Sequence, residues 1–397
     1  MSRGKGSQGN GSRGKGQQPA QFKRKPTADG SVATLPAPDT VPLAAPESTL
    51  PGSTLFPGSG MRRRWLALVA IVVLVLAGAA VYGVSAFQTA KTSQEAASPV
   101  DLSTAETLPA VPFVMFRNTA PGQGFGQAAT VLLADPQGQR ALSGHTCDRV
   151  YAASNLVSCL TARNEIPTKF AATVYNASLD AVESWDLGGI PSRTRISADG
   201  SLLASTVFVS GHSYATAGFS TETIIRGRDG TVHGNLEEFA LISGGTQIKA
   251  ADRNIWGVTF VPGQPDAFYA TASSQGKIWL VQGSLKDKTL TVAAAGIECP
   301  SVSPDGTRIA YKKSVTGTLV GHRNIAVLDI ASGTETVLAE QRDIDDQLEW
   351  LDPSTVVYGV PRDETGQDSD IWSLAIDPAS QPSLFIEHAW SPAVVRQ

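Results

Sequence analysis

An all-β ring of six four-stranded blades, a β-propeller, is predicted for residues 111–397, behind one transmembrane helix and a disordered N-terminal arm. Three observations predict it. Residues 65–87 form a 23-residue apolar run without a charge. At Val111 the texture changes to short apolar stretches broken by Gly, Asp, Pro and Ser. Within that region one hairpin returns six times, at intervals of 41, 52, 54, 47 and 46 residues. Four strands per unit at such a period is the pattern of propeller blades.

The arm comes first. Residues 1–64 are rich in Gly, Ser, Gln and Pro, repeat SRGKG twice, and carry ten Lys and Arg against three acids. Their apolar content is too small to offset the entropy of ordering, so the arm is expected to be disordered. The remaining 333 residues hold 22 bases against 33 acids. A body so acidic is not built for nucleic acid, whose phosphates are met mainly by Lys and Arg, and no specific nucleic acid is expected as a partner.

The run WLALVAIVVLVLAGAAVYGVSAF follows at residues 65–87. At 1.5 Å per residue it crosses a hydrocarbon core of about 30 Å. It is long, and it begins too far from the N-terminus, for the usual pattern of a cleaved signal peptide. Arg62, Arg63 and Arg64 abut its N-terminal end, while the other side offers only Lys91 before an acidic spacer. By the positive-inside rule these three arginines set the topology: arm in the cytoplasm, body outside the plasma membrane. Residues 88–110 read as a flexible stalk.

The clearest blade unit starts at residues 302–311 (VSPDGTRIAY) and continues at 324–338 (NIAVLDIASGTETVL). It reads as two hairpins, the first turning at Pro-Asp-Gly and the second at Ala-Ser-Gly. Echoes of the second begin at Thr130, Ala171, Thr223, Lys277, Asn324 and Asp370, which gives six blades, with seven as the alternative. The first blade has about three strands only. Residues 393–395 at the C-terminus could supply the fourth and close the ring, leaving no long exposed edge.

The pattern xSPDGxxIAY followed by IxVLDIxSG resembles the WD40-like repeats of TolB-type propellers, with fading fidelity across residues 111–395. The resemblance implies the fold and a general role as an interaction module of the bacterial cell envelope. It does not carry over a particular partner, because this chain shows a membrane anchor and no TolB-like N-terminal α/β domain.

Chemistry is sparse. The five histidines (His145, His212, His233, His322 and His388) form no metal-binding spacing, and neither a GxSxG elbow nor a CxxC pair occurs. No cofactor, metal or catalytic residue is expected. Cys147 and Cys159 flank an inner hairpin outside the cytoplasm, where a disulfide between them can form. Cys299 is expected as a lone buried thiol. Long loops between second and third strands, at 117–128, 209–222, 312–323 and 361–370, gather on one face, and loops on a rigid scaffold are where binding resides. They offer His212, Tyr214, His322 and Arg323 as binding candidates, together with an acidic set of Asp363, Glu364, Asp368 and Asp370. The expectation is a non-enzymatic binding or scaffolding protein whose partner is a protein, peptide or glycan. A signal-coupling protein is one alternative. A propeller lyase or hydrolase is another, with Arg149, Arg195 and Glu298 near the inner-strand ends as its weak support.

Overall fold

A computed structural model describes residues 59–163, 165–209, 220–315 and 321–396. The arm as far as residue 58 lies outside the described residues, and so do His212 and Tyr214. One α-helix, α1, runs over Ser59–Glu95. It extends beyond the predicted span at both ends because no proline interrupts the chain between Pro57 and Pro99. Its segment Arg62–Gln88 is long and apolar enough to cross a membrane.

The remaining elements are strands of six sheets. The first blade holds β1 (Leu102–Thr104), β2 (Phe113–Asn118), β3 (Gln127–Leu132) and β4 (Arg140–Thr146). β1 falls within the stretch read as a stalk, and it pairs parallel to β4 through Leu102 opposite Arg140. The second blade is β5 (Arg149–Ala153), β6 (Leu156–Arg163), β7 (Lys169–Tyr175) and β8 (Ala181–Leu187), and the third is β9 (Ile190–Ile196), β10 (Leu202–Val209), β11 (Ser220–Gly227) and β12 (Val232–Asn235). A hairpin of β13 (Ala240–Ser243) and β14 (Thr246–Ile248) precedes β15 (Asn254–Phe260), β16 (Ala267–Ser274), β17 (Lys277–Ser284) and β18 (Thr289–Ala295). β13 adds to the outer edge of β18 in parallel, so the fourth sheet has six strands. This insertion accounts for the longest repeat interval. β19 (Ile297–Val302), β20 (Arg308–Ser314), β21 (Arg323–Asp329) and β22 (Glu335–Val337) form the fifth blade. The sixth is β23 (Glu349–Asp352), β24 (Thr355–Pro361), β25 (Ser369–Ala375) and β26 (Ser383–Ile386).

The last strand, β27 (Ala389–Val395), returns to the first blade and pairs antiparallel with β2, Phe113 lying opposite Val395. The ring therefore has six blades, not seven, and is closed between its two chain ends. Pro392 is tolerated in β27 because the inner edge of an innermost strand has no neighbour to which an N–H must donate.

The inner strands are apolar at consecutive positions because blades pack on both of their faces. Met115, Cys147, Val150, Ile196, Leu203 and Val395 belong to one buried cluster that joins the first three blades. The first-to-second turns repeat one device. In the fifth blade the Ser303 hydroxyl donates to Asp305 at 2.5 Å, Asp305 accepts from the Thr307 N–H at 3.0 Å, and Gly306 turns with φ +71°. In the third blade Ser197, Asp199, Ser201 and Gly200 reproduce it, with the same 2.5 Å and 3.0 Å contacts. The Ser-x-Asp-Gly motif is thus a hairpin turn stabilised from within.

Candidate functional site

Each inner strand enters from the face that carries the long second-to-third loops and leaves at the opposite face, that of the tight turns. Among the described residues five inner strands bulge on the way through, three of them at a residue with positive φ. Gly257, Cys299 and Ser391 take φ values of +64°, +49° and +60° where the register of β15, β19 and β27 shifts. The bulges of neighbouring blades touch: a Cβ on Gly257 would lie 2.8 Å from the Cys299 Cα, so only glycine fits.

The bulges and strand starts bring charged residues together around the loop-face mouth of the channel. Arg149 opens β5 and Arg193 lies in β9, while Lys312 and Arg323 come from the two strands of the fifth blade that flank its long loop. Asp345 and Asp346 precede β23. Lys312 Nζ donates to Asp345 Oδ1 at 3.1 Å, and the Arg193 guanidinium donates to the Asp345 carbonyl at 2.6 Å. The Asp345 side chain is 71% exposed, and against what desolvation it has, Lys312 and then Arg193 hold its carboxyl well below the usual range. Arg323 pairs with Glu298 at 3.4 Å, yet burial outweighs Lys312 and Arg323 and pushes Glu298 up. Asp346 is fully buried, accepts from the Ser391 N–H at 2.8 Å, and is also raised by burial.

Midway along the channel the space is filled. Arg195 Nη1 meets Glu349 Oε2 at 2.8 Å, the Tyr151 hydroxyl donates to the same carboxylate oxygen at 3.2 Å, and Arg195 Nη2 donates to the Leu348 carbonyl at 3.1 Å. Both ionised groups are satisfied, as a buried pair must be. Beyond this plug a funnel of about 240 Å³ opens on the tight-turn face, walled by residues such as Phe260, Pro304 and Val394.

The sequence-predicted residues fall in several places. Arg323 lies at the mouth, and His322 is exposed beside it in the same loop. The acidic set is divided. Asp363 caps its own turn, accepting from the Thr365 N–H at 2.9 Å and from its hydroxyl at 2.6 Å. Asp370 pairs with Arg362 at 3.0 Å, and Asp368 pairs with His388 at 2.8 Å and accepts from Thr119 at 3.0 Å. Glu364 is exposed. These carboxylates lock the loop, and among the described residues no group of His, Cys, Asp and Glu is arranged to hold a metal ion. Cys147 and Cys159 are joined by a disulfide, and Cys299 is free and buried. Arg62, Arg63 and Arg64 are exposed on α1. Of the residues named for an enzyme, Arg149 and Glu298 stand at the mouth and Arg195 in the plug. Arg117, Arg193, Lys312, Asp345 and Asp346 were not anticipated. One signal for them was present: SRTRI at 192–196 places arginines two apart in a strand otherwise expected to be buried on both faces.

No family model and no curated protein matches this chain. Solved structures do. TolB from Acinetobacter baumannii is 14% identical, with 72% of this chain and 67% of that chain covered and a TM-score of 0.51. A TolB from Agrobacterium tumefaciens, described as putative, is 10% identical, with 70% and 88% covered and a TM-score of 0.41. A puromycin-hydrolyzing peptidase from Mycobacterium tuberculosis is 14% identical, with 74% and 45% covered and a TM-score of 0.43. At these identities the likeness is one of fold, and the fold is that of a TolB-like propeller.

Proposed function

We propose that this chain is a plasma-membrane protein of the cell envelope that holds its propeller outside the cytoplasm and uses the loop face as a non-enzymatic binding or scaffolding surface. The helix Arg62–Gln88 supplies the anchor, and Arg62–Arg64 retain the arm on the cytoplasmic side. One observation carries the choice of face. Charged side chains from several blades meet at the mouth on the loop face, whereas the Arg195–Glu349–Tyr151 network spans the channel below it. A rigid ring whose centre is spanned by a hydrogen-bonded network is suited to holding a partner at its rim.

A second reading, a lyase or hydrolase, is favoured by one observation: Arg149, Arg193, Lys312 and Glu298 converge at the mouth with Asp345 and Asp346. Against it, Glu298, Asp345 and Asp346 each engage a cation or a backbone N–H, which suits structure better than proton transfer.

Crosslinking in intact membranes, followed by pull-down of the full chain and of a variant lacking residues 111–395, tests the proposal. Envelope proteins recovered only with the propeller present are the expected result. Recovery of cytoplasmic proteins alone, equally by both forms, would transfer the function to the arm.

A further inference from the structure

Beside the channel mouth, on the loop face of the first three blades, lies a cavity of about 390 Å³ lined by Arg117, Arg149, Phe170, Ile190 and Trp390 with Asp148 among its walls. Arg149 is unusual among its neighbours. Among the described residues no hydrogen bond or ion pair reaches its guanidinium, and its Nε is sealed from solvent without a partner. Arg193 is tied to Asp345, Lys312 to Asp345 and Arg323 to Glu298, while Asp346 accepts from the Ser391 N–H and Asp148 from the Ala162 N–H. Arg117 donates from Nε to the Cys147 carbonyl at 3.0 Å and lies over the Phe125 ring. The cavity lining therefore sets two cations, Arg117 and Arg149, against one acid, Asp148, within a body that is acidic as a whole.

We propose that this cavity is a receptor for a carboxylate of a bound peptide, seated on the Arg149 guanidinium with Arg117 beside it. It rests on the reading of the loop face as the binding surface and names what that surface takes. Arg149 is partly buried, with Nε sealed and unpartnered; a partly buried cation without a partner is costly, and its planar fork matches a carboxylate in a bidentate pair. Burial and the Arg193 charge push Arg149 down to about 10, against the pull of Asp346 and Asp345, which expresses the same deficit of negative charge around it. The surplus is close to one charge, which fits a monoanionic carboxylate better than a phosphate dianion. The walls argue for a peptide over a sugar. Ile190 is 58% exposed, with Phe170 and Trp390 half-buried nearby, and the one hydroxyl on the lining, Thr119, is already engaged with Asp368 and Ser369. An apolar side chain next to the carboxylate has a surface to cover, while sugar hydroxyls would find few partners.

The test is calorimetric titration of the full chain in lipid nanodiscs with N-acetyl-leucine, N-acetyl-leucinamide and inorganic phosphate. The expected result is saturable binding of N-acetyl-leucine, on the order of millimolar for so small a ligand. The amide should bind at least about tenfold more weakly, since it cannot form the charged pair. Arg149→Met should abolish binding while the melting temperature holds or rises, because an unpaired, partly buried charge has been removed. Arg149→Lys, which keeps the charge and loses the fork, should weaken binding several-fold. Equal binding of the amide, tighter binding of phosphate, wild-type affinity in Arg149→Met, a fall in its melting temperature, or no saturable binding would each overturn the proposal. Envelope proteins still captured by Arg149→Met as by the wild type would overturn the carboxylate site and leave the scaffold standing.

Discussion

Arg195 and Glu349 show how a charged pair can sit at the centre of a ring at low net cost. Each is buried, and each keeps additional partners: Tyr151 on the carboxylate, the Leu348 carbonyl on the guanidinium. The stability at stake lies in the pairing and not in the charges themselves. Glu349→Gln is expected to destabilise by about 3–5 kcal/mol, because it leaves the buried Arg195 without its counter-charge. The double change Arg195→Met with Glu349→Leu is expected to recover most of that loss. Thermal unfolding of the wild type and the two variants checks both, and a double variant no better than Glu349→Gln would mean the pair itself stabilises the ring. At this scale the sequence was only partly legible. Arg149, Arg195 and Glu298 stood out because they are charged near inner-strand ends. Asp345 and Asp346 did not, because they precede β23 in an irregular stretch, and only closure of the ring brings them to Arg193 and Ser391. Proximity across blades leaves no mark on local spacing.

The elements were more legible, since a hairpin is a local event. The six second hairpins all begin within three residues of where the sequence places them, and the Pro-Asp-Gly turn at 304–306 forms for the chemical reason its residues suggest. What escaped was irregular: the β13–β14 hairpin, whose strands are four and three residues long, and a 3₁₀ turn at Leu236–Glu238 before it. That turn carries a staple between blades. Glu237 accepts from the Thr223 N–H of β11 at 2.9 Å and from the Ile255 N–H of β15 at 3.1 Å. Burial, against these donors and the Thr221 hydroxyl, pushes its carboxyl up to about 7. The folded-state value lies above the unfolded one, so the folded form binds the extra proton between them. The resulting stability is fully present below about 4.5, the ordinary value for such a carboxyl, and is lost as pH rises through about 7. Unfolding midpoints followed from pH 4.5 to 7.5 should decline for the wild type and flatten for Glu237→Gln. A wild-type profile already flat over that window would show that the backbone donors outweigh burial.

For the whole molecule the question is which side of the membrane the propeller occupies, and the chain contains its own reporter. The joined sulfurs of Cys147 and Cys159 lie in the second blade's inner region, remote in sequence from α1, and Cys147 is fully buried in the cluster that joins three blades. A disulfide of this kind persists outside the cytoplasm and is kept reduced within it. The orientation proposed here depends on Arg62, Arg63 and Arg64, since positive charge flanking an apolar helix holds that side in the cytoplasm. Replacing all three by Asn, and moving three arginines to the far end at Gln88, Thr89 and Ala90, is expected to invert or scramble the insertion. Alkylation of unfolded protein from rapidly quenched cells should then report free thiols at Cys147 and Cys159 in the variant and Cys299 alone in the wild type. The two forms share every propeller residue, so a difference in thiol state reads placement and not fold. Bonded cysteines in both would mean that these arginines do not set the topology. Reduced cysteines in both would put the propeller in the cytoplasm and remove the envelope from its proposed function.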